Sequence, residues 1–341
     1  MNDSSLAETP PVQPRKRSLA ESALRLPRLL KIDTLGGLWV LAIVIIVFSI
    51  WVPDSFPTMA TLRSILNQNA ITAIVALSLI VPLSAGLFDL SIGNAMALAS
   101  VVTASLIVDH GYGTVMAIVA VLLIAVAVGV FNAIFVVRLG IASFIATLGT
   151  GAVLQAIVVL VSNDETVTNA NLNSNFSKIA VTEVFGLQVT VYAAVILAAV
   201  LWWLLERTVT GRRLYATGFN EEASRLAGVR TRRLQFLAMI VSPLVACAAG
   251  ILATAQVGAG SPDIGPTYLL DAFAVAFLGA TQIRRGRFNS PGTIIGVLLL
   301  GTGTSGLSQV GAPPWAISLF TGVVLLAALA LTKLERSASE K

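Results

Sequence analysis

The sequence predicts an all-α, polytopic membrane protein with about ten transmembrane helices, and three observations support this prediction. Hydrophobic residues make up 56% of the 341-residue chain and charged residues only 11%, whereas soluble domains carry about 25% charged residues. Apolar runs of helix length recur along the chain and far exceed the length of an ordinary strand. The basic residues cluster between these runs, which is typical of membrane proteins.

Ten segments are candidate membrane spans, because a helix needs about 20 predominantly apolar residues to cross the hydrocarbon layer. In chain order they are 34–52, 65–85, 90–108, 114–137, 141–162, 187–205, 234–257, 268–283, 290–308 and 314–332. The eighth segment is short and contains Asp271, so we expect it to be tilted or partly unwound.

The basic residues predict the orientation of these spans, because cytoplasmic loops carry an excess of Lys and Arg. With the N-terminus inside, ten crossings place Arg138, the 206–233 connection and the RRGR run at 284–287 on the inner side. The outer side receives Arg63 and Lys178. We therefore predict a multi-pass protein of the cytoplasmic (inner) membrane with both termini cytoplasmic. Its parts are an N-terminal segment (1–33), one transmembrane domain (34–333) and a tail (334–341).

Equal numbers of spans in the two halves predict an inverted repeat, because an odd number of crossings per half turns the second half over. A weak echo supports this arrangement: AGLFDLSIG at 85–93 and AGSPDIG at 259–265 both lie at the turn between the second and third spans of a half. Small residues such as Gly292 and Gly296, spaced as GxxxG, predict closely packed helices.

The inner connection between the sixth and seventh spans contains a charged stretch that predicts a short, well-terminated helix. Asn220 is a good N-cap, Glu221 and Glu222 occupy the first turn, where the helix dipole favours negative charge, and Gly228 can end the helix in the left-handed conformation. Glu221 and Arg225 have the i, i+4 spacing and order of a favourable ion pair.

Ala223, Leu226 and Ala227 fall on one face of this short helix. An isolated helix of about two turns is marginal in water, so it needs a surface on which to dock. Two interpretations follow. The helix either packs on its own bundle or serves as a docking element for a soluble partner.

A few polar or aromatic residues near the spans are candidates for a translocation pathway. Asp89 and Asp271 are acids close to membrane depth, where ionisable groups are functional candidates by default. Asp89 can alternatively cap the following helix together with Ser91, and Asp271 can hydrogen-bond across helices. The run Asn67, Gln68 and Asn69 either lines a pathway or lies at the interface. Phe144 is the remaining candidate.

The sequence contains no GxxxxGK[ST] phosphate loop, no cluster of metal ligands and no nucleophile with a neighbouring base. We therefore expect no catalytic residues, no metal and no cofactor in this chain, which is not predicted to be an enzyme. Its one cysteine, Cys247, and its one histidine, His110, are interpreted as packing and turn residues.

Several motifs together resemble the ribose-type sugar permease family of ABC importers. The stretch EASRLAG at 222–228 is similar to the coupling helix of ABC importer permeases. GLFDLSIGNAMALASVV at 86–102, FIATLGTGAVLQ at 144–155 and the run from Leu269 to Gly301 resemble further family segments and follow in the family's order. Departures are Phe88 in place of Ile, and Gly279-Ala280 and Arg285-Gly286 in place of Gly-Gly.

This resemblance implies the permease subunit of an ATP-driven importer that moves a sugar or sugar-like solute inward. The implied partners are a second permease subunit, identical or closely related, a cytoplasmic ABC ATPase that binds ATP and Mg²⁺, and an external or periplasmic solute-binding protein. Membrane lipid is a further expected partner and nucleic acid is not. The residues implied in ATPase coupling are Asn220, Glu221, Glu222, Ala223, Arg225, Leu226 and Gly228. The alternatives are an ion-coupled secondary transporter and a non-transporting membrane scaffold.

Overall fold

A computed structural model describes residues 32–169, 172–283 and 286–339. The helices in these ranges are α1 (Ile32–Trp51), α2 (Met59–Ser84), α3 (Ile92–Val108), α4 (Thr114–Ala133), α5 (Ser143–Ser162), α6 (Lys178–Val181), α7 (Val189–Arg207), α8 (Val209–Phe219), α9 (Glu221–Leu226), α10 (Thr231–Val257), α11 (Ile264–Ala280), α12 (Ser290–Gln309) and α13 (Pro314–Ser339). Four two-residue strands form two antiparallel pairs: β1 (Val167–Thr168) with β4 (Ala259–Gly260), and β2 (Glu183–Val184) with β3 (Leu187–Gln188).

Ten of these helices coincide in order with the ten predicted spans, and the all-α fold class is confirmed. Five segments are long and apolar enough to cross a membrane on their own, namely Met59–Ser84, Thr114–Arg138, Ser143–Ser162, Val189–Arg207 and Thr231–Val257. Shorter apolar helices cover Gly37–Trp51, Ile92–Val108, Ile264–Ala280 and Pro314–Leu329. Residues 1–31 of the predicted N-terminal segment (1–33) and residues 170–171, 284–285 and 340–341 lie outside the described residues.

Contacts between connections show that successive long helices alternate in direction. At one end of the bundle, Ser55 Oγ donates to Gln309 Oε1 (3.0 Å), and β1 pairs with β4. At the other end, Tyr215 Oη donates to the carbonyl oxygen of Phe288 (2.6 Å). The ends of the helices therefore form two faces, as ten crossings require.

One of these two faces carries most of the arginines, and we call it the basic face. It is formed by the connections 85–91, 134–142 and 208–230 and by the described residues 281–283 and 286–289. Among side chains that the structure describes, its arginines are Arg138, Arg207, Arg212, Arg213, Arg225, Arg230, Arg232, Arg233 and Arg287, whereas Arg63 and Lys178 lie on the opposite face.

The third crossing begins with non-helical backbone inside the bundle. The amide nitrogens of Phe88 and Leu90 donate to Ser143 Oγ and Thr147 Oγ1 (3.0 Å each), and Asn94 Nδ2 donates to the carbonyl oxygen of Gly151 (2.8 Å). The acceptors are spaced four residues apart along α5, so the chain rises beside α5 before α3 begins. Irregular backbone at membrane depth is tolerated where protein buries it and satisfies its polar groups.

The eighth crossing is built in the same way from the opposite face. The amide nitrogen of Ser261 donates to Ser100 Oγ (3.2 Å), and Gly260 packs on Ala104, so the chain descends beside α3 before α11 begins. Of the two expectations for 268–283, tilted or partly unwound, the second is wrong, because α11 is continuous from Ile264 to Ala280. The irregular backbone of this crossing lies before the helix, in the stretch that contains Gly260 and Pro262.

The first turns of α3 and α11 meet in the interior at two glycines. A Cβ atom at Gly265 would overlap the carbonyl oxygen of Gly93, and a Cβ at Gly93 would lie 3.1 Å from the carbonyl oxygen of Gly265. The two helices therefore start at the same depth and run towards opposite faces. The predicted close packing at Gly292 and Gly296 is also confirmed, since both lie against backbone of α11.

Helix packing supports two inverted halves. In the first half α3 packs on α4 and α5, and in the second half α11 packs on α12 and α13. Across the halves, α10 packs on α3 and α4, while α2 packs on α11 and α12. These pairs correspond between the halves when α2, α3, α4 and α5 are matched in order with α10, α11, α12 and α13. The first helices differ, because α7 packs on α2 and α12 whereas α1 packs on α12.

Candidate functional site

The predicted short helix is present on the basic face as α9. Asn220 has an extended backbone (φ −153°, ψ 101°), and its Oδ1 accepts a hydrogen bond from the amide nitrogen of Ala223 (2.9 Å). Gly228 adopts the left-handed conformation (φ +82°) that ends the helix. The amide nitrogen of Val229 closes the turn on the carbonyl oxygen of Ser224 (3.0 Å). Both predicted helix ends are therefore confirmed.

The predicted ion pair between Glu221 and Arg225 is wrong. Arg225 Nη2 lies 3.8 Å from Glu222 Oε1, an i, i+3 pair whose side chains are both largely exposed. Glu221 turns instead towards α10, where its Oε2 accepts from Gln235 Nε2 (3.0 Å). A hydrogen bond to the buried Gln235 outweighs an exposed ion pair, which stabilises by at most about 1 kcal/mol. Glu221 thus anchors α9 to the bundle.

One face of α9 is left open by this attachment. Ser224 is buried, whereas Ala223, Leu226 and Ala227 are exposed, Leu226 with 81% of its surface. Glu222 and Arg225 flank these apolar side chains. The geometry therefore offers an outward-facing apolar contact bordered by one acid and one base, held on a helix with both ends fixed.

Helix α8 supports α9 and ties it to the membrane helices. Tyr215 is buried, its hydroxyl holds the carbonyl oxygen of Phe288, and the Arg287 guanidinium lies over the rings of Tyr215 (5.4 Å) and Phe219 (5.3 Å). Burial raises the pKa of the Tyr215 phenol, so it stays a protonated donor. Gly218 packs against the backbone of Ser84 at the end of α2.

Sequence reasoning did not identify this supporting cluster. Tyr215 and Arg287 lie 72 positions apart, and no local pattern joins them. The only available signal was a tyrosine and two glycines placed between arginine-rich stretches, which is insufficient to predict a tertiary contact.

Asp89 lies fully buried in the irregular backbone before α3. Its Oδ1 accepts from the amide nitrogen of Ser91 (3.0 Å) and from Ser91 Oγ (2.6 Å), and Asn132 Nδ2 donates to Ser91 Oγ (2.8 Å). The predicted contact between Asp89 and Ser91 at the start of the helix is present, but the Ser91 side chain makes no capping hydrogen bond to the helix. This polar cluster fixes the transition from extended chain to helix.

Asp271 differs from the prediction that it hydrogen-bonds across helices. It is half-buried on α11, and within the three described ranges its carboxylate has no hydrogen-bond partner. Asp271 lies at the border between two surfaces of the helix, because Leu270 before it is exposed and Ala272 after it is buried.

The other pathway candidates are divided between the two ends of the bundle. Asn67 Oδ1 accepts from the amide nitrogen of Gln188 (3.0 Å), Gln68 is exposed, and Asn69 packs over Gly301. These three residues lie towards the face opposite the basic face. Phe144 is exposed at the start of α5, next to Ser143, which holds the backbone of Phe88. The structure thus places Asp89 near Phe144 and apart from Asn67–Asn69.

A bundle of apolar helices with two crossings that begin in its interior, and with a capped helix on one face, defines a multi-pass membrane transport protein. Residues 61–329 match the family described as branched-chain amino acid transport system, permease component. The chain belongs to this family of ABC importer permeases and, within it, groups with the ribose-type permeases that the motifs predicted.

Curated relatives extend over most of the chain. The ribose import permease protein of Bacillus subtilis is 32% identical over 89% of this chain and 92% of its own length. The D-allose transport system permease protein of Escherichia coli is 29% identical over 89% of this chain and 92% of its own length. The fructose import permease protein of Rhizobium meliloti is 30% identical over 86% of this chain and 83% of its own length.

Family membership has three consequences. The chain is a transport subunit rather than an enzyme, and it is a multi-pass membrane protein. Its family implies a separate ATPase and a solute-binding protein as partners. The two alternatives, an ion-coupled secondary transporter and a non-transporting scaffold, are set aside because the relatives are import permeases over nearly their whole length.

Proposed function

We propose that this permease imports a neutral monosaccharide or a closely related polyhydroxy solute, driven by ATP hydrolysis on a cytoplasmic partner. The observation that carries the proposal is the uniform chemistry of the relatives, which are permeases for ribose, allose, fructose and L-arabinose. A neutral solute needs hydrogen-bonding groups rather than charged ones along its path. Within the described bundle, the polar groups near the start of α3 include Asp89, Ser91, Asn94 and Asn132.

The basic face is proposed to be cytoplasmic, with the protein in the inner membrane and both termini inside. Nine of the eleven described basic side chains named above lie on that face, and positive charge favours the cytoplasmic side. The opposite face, with β2, β3 and the β1–β4 pair, would then receive solute from an external or periplasmic binding protein.

Helix α9 is proposed as the coupling element. Asn220 and Gly228 fix its ends, Glu221 ties it to α10, and Ala223 and Leu226 face outward beside Glu222 and Arg225. An ATPase groove that receives this face would move α9 when nucleotide closes it. Because α8 is joined to the end of α2 and to Phe288, displacement of α9 would be transmitted to both halves of the bundle.

A second permease subunit, identical or closely related, is proposed to complete the transport unit, with two ATPases bound to the basic faces. The exposed apolar side of α5, which includes Phe144, Ile145, Leu148, Val153 and Leu160, supports this arrangement because it is available for a partner helix or for lipid. Phe144 and Asp89 would line the pathway near the basic face. Asn67–Asn69 would line it near the opposite face, and Asp271 would line it along α11.

Reconstitution with the ATPase and the binding protein tests this function. We expect ATP-dependent uptake of at least one of ribose, allose, fructose or arabinose and no uptake of leucine or isoleucine. The Glu222→Arg variant should keep the folded bundle, because the exposed pair with Arg225 contributes little to stability. It should lose ATPase co-purification and uptake, because a cation replaces the acid on the docking face.

The matched control is Glu183→Arg, the same charge reversal on an exposed side chain of the opposite face. It should retain ATPase binding. Uptake of branched-chain amino acids with no sugar uptake would contradict the proposed substrate, whereas normal uptake and co-purification by Glu222→Arg would contradict the proposed coupling.

A further inference from the structure

A groove of about 620 Å³ opens on the basic face between the end of α4 and the start of α10. The π-helical turn Ile134–Arg138, which continues α4, forms one wall, and the first two turns of α10 form the other. The residues that line the groove are Val137, Arg138, Arg232, Arg233, Phe236 and Leu237. Its lining includes no residue of α9 and none of the polar cluster at Asp89.

Three arginines line this groove without acidic partners among the described residues. Arg138, Arg232 and Arg233 are exposed, and none of them has a carboxylate oxygen within 4.0 Å in the part of the chain that the structure describes. Three cations that line one concavity repel one another unless an anion binds between them. Arginine also matches phosphate geometry with paired N–H donors.

The rest of the groove is apolar and follows the arginines towards the membrane. Arg232 and Arg233 precede Phe236 and Leu237 by four residues, so each arginine shares a helix face with an apolar side chain one turn deeper. Phe236 and Val137 pack on the buried cluster of Ala133, Val136 and Met239. Leu237 is 57% exposed, which leaves an apolar surface next to the charged rim.

We propose that this groove binds one anionic phospholipid of the adjacent leaflet. The phosphodiester lies against Arg138, Arg232 and Arg233, and the upper acyl chain covers Val137, Phe236 and Leu237. Basic pockets between membrane helices on the cytoplasmic side are suited to anionic headgroups. A free phosphate or nucleotide would use the arginines but would leave the apolar wall exposed to water, so a lipid fits the lining better. The site is independent of the transported solute.

Native mass spectrometry of the full-length protein in detergent, titrated with phosphatidylglycerol or phosphatidylcholine of identical acyl chains, tests the site. The wild type should bind phosphatidylglycerol more tightly. The pair Arg232→Gln and Arg233→Gln should weaken that binding by about thirtyfold, since each basic residue near an anionic headgroup contributes about a factor of five. The matched control is the pair Arg212→Gln and Arg213→Gln, two adjacent exposed arginines on α8 of the same face. It should bind as the wild type does.

Equal binding of the two lipids by the wild type, or an equal loss in both arginine pairs, would overturn the proposal. Unchanged lipid selectivity together with lost ATPase co-purification in the groove variant would also overturn it and assign the arginines to a protein partner. Glycerol 3-phosphate, added to the wild type alone, should not displace phosphatidylglycerol. Displacement would assign the groove to a free phosphate, and this arm needs no variant to fold.

Discussion

Two glycines determine how closely the interior ends of α3 and α11 approach each other. At Gly93 and Gly265 the backbones pass without room for a side chain on the α11 side. Close approach through small residues is a general means of packing membrane helices, where burial from water supplies no driving force between them. Here it also brings two helix N-termini to the same depth.

Gly265→Ala should therefore destabilise the bundle. The added methyl would overlap the Gly93 carbonyl, which belongs to backbone and cannot rotate away, and overpacking of this kind costs about 1–3 kcal/mol. A thermal-shift measurement in detergent should show a lower unfolding temperature. Gly322→Ala in α13 is the control, because a Cβ added at Gly322 would have no neighbouring atom within 4 Å. An unchanged unfolding temperature for Gly265→Ala would contradict the packing described for the two glycines.

At the scale of single elements, α9 is the part of the molecule that depends most on local signals. It has six residues, so its stability comes from its cap, its terminating glycine and its contacts with α10 rather than from length. Loss of an Asn N-cap costs about 1 kcal/mol, a large share of what holds so short a helix.

Asn220→Ala should loosen α9 and leave the rest of the bundle unchanged. Hydrogen–deuterium exchange should rise at the amides of residues 223–229, and ATPase co-purification should weaken. Asn220→Asp should restore protection, because its carboxylate can accept from the Ala223 amide as the asparagine oxygen does. Equal exchange in the alanine variant and the wild type would show that the cap does not hold the helix.

The ends of α9 could be predicted from sequence because Asn220 and Gly228 act within four residues of the groups they satisfy. The partner of Glu221 could not be predicted, because Gln235 lies 14 residues away on the next helix and binds Glu221 in place of Arg225. The cluster of Tyr215, Phe288 and Arg287 was missed for the same reason. Local signals predicted the helices and their caps, whereas contacts distant in sequence required the structure.

For the whole molecule, hydrophobic runs predicted the number and order of the ten crossings. They did not show that the third and eighth crossings begin as extended chain, because the apolar pattern is the same whether its first residues are helical or extended. The contacts of Leu90 with Thr147 and of Ser261 with Ser100 reveal this feature. The inverted arrangement places one such crossing in each half, and the helices that follow the two discontinuities meet at Gly93 and Gly265.

The sidedness of α9 is the central claim, because a helix that couples to a cytoplasmic ATPase must lie on the cytoplasmic side. Single cysteines should be placed at the exposed Leu226 and, for the opposite face, at the exposed Phe185, in a Cys247→Ala background. Labelling with a membrane-impermeant thiol reagent should modify L226C only in inside-out vesicles and F185C only in right-side-out vesicles. Added ATPase should protect L226C. Labelling of L226C from the outside, or no protection by the ATPase, would contradict the account.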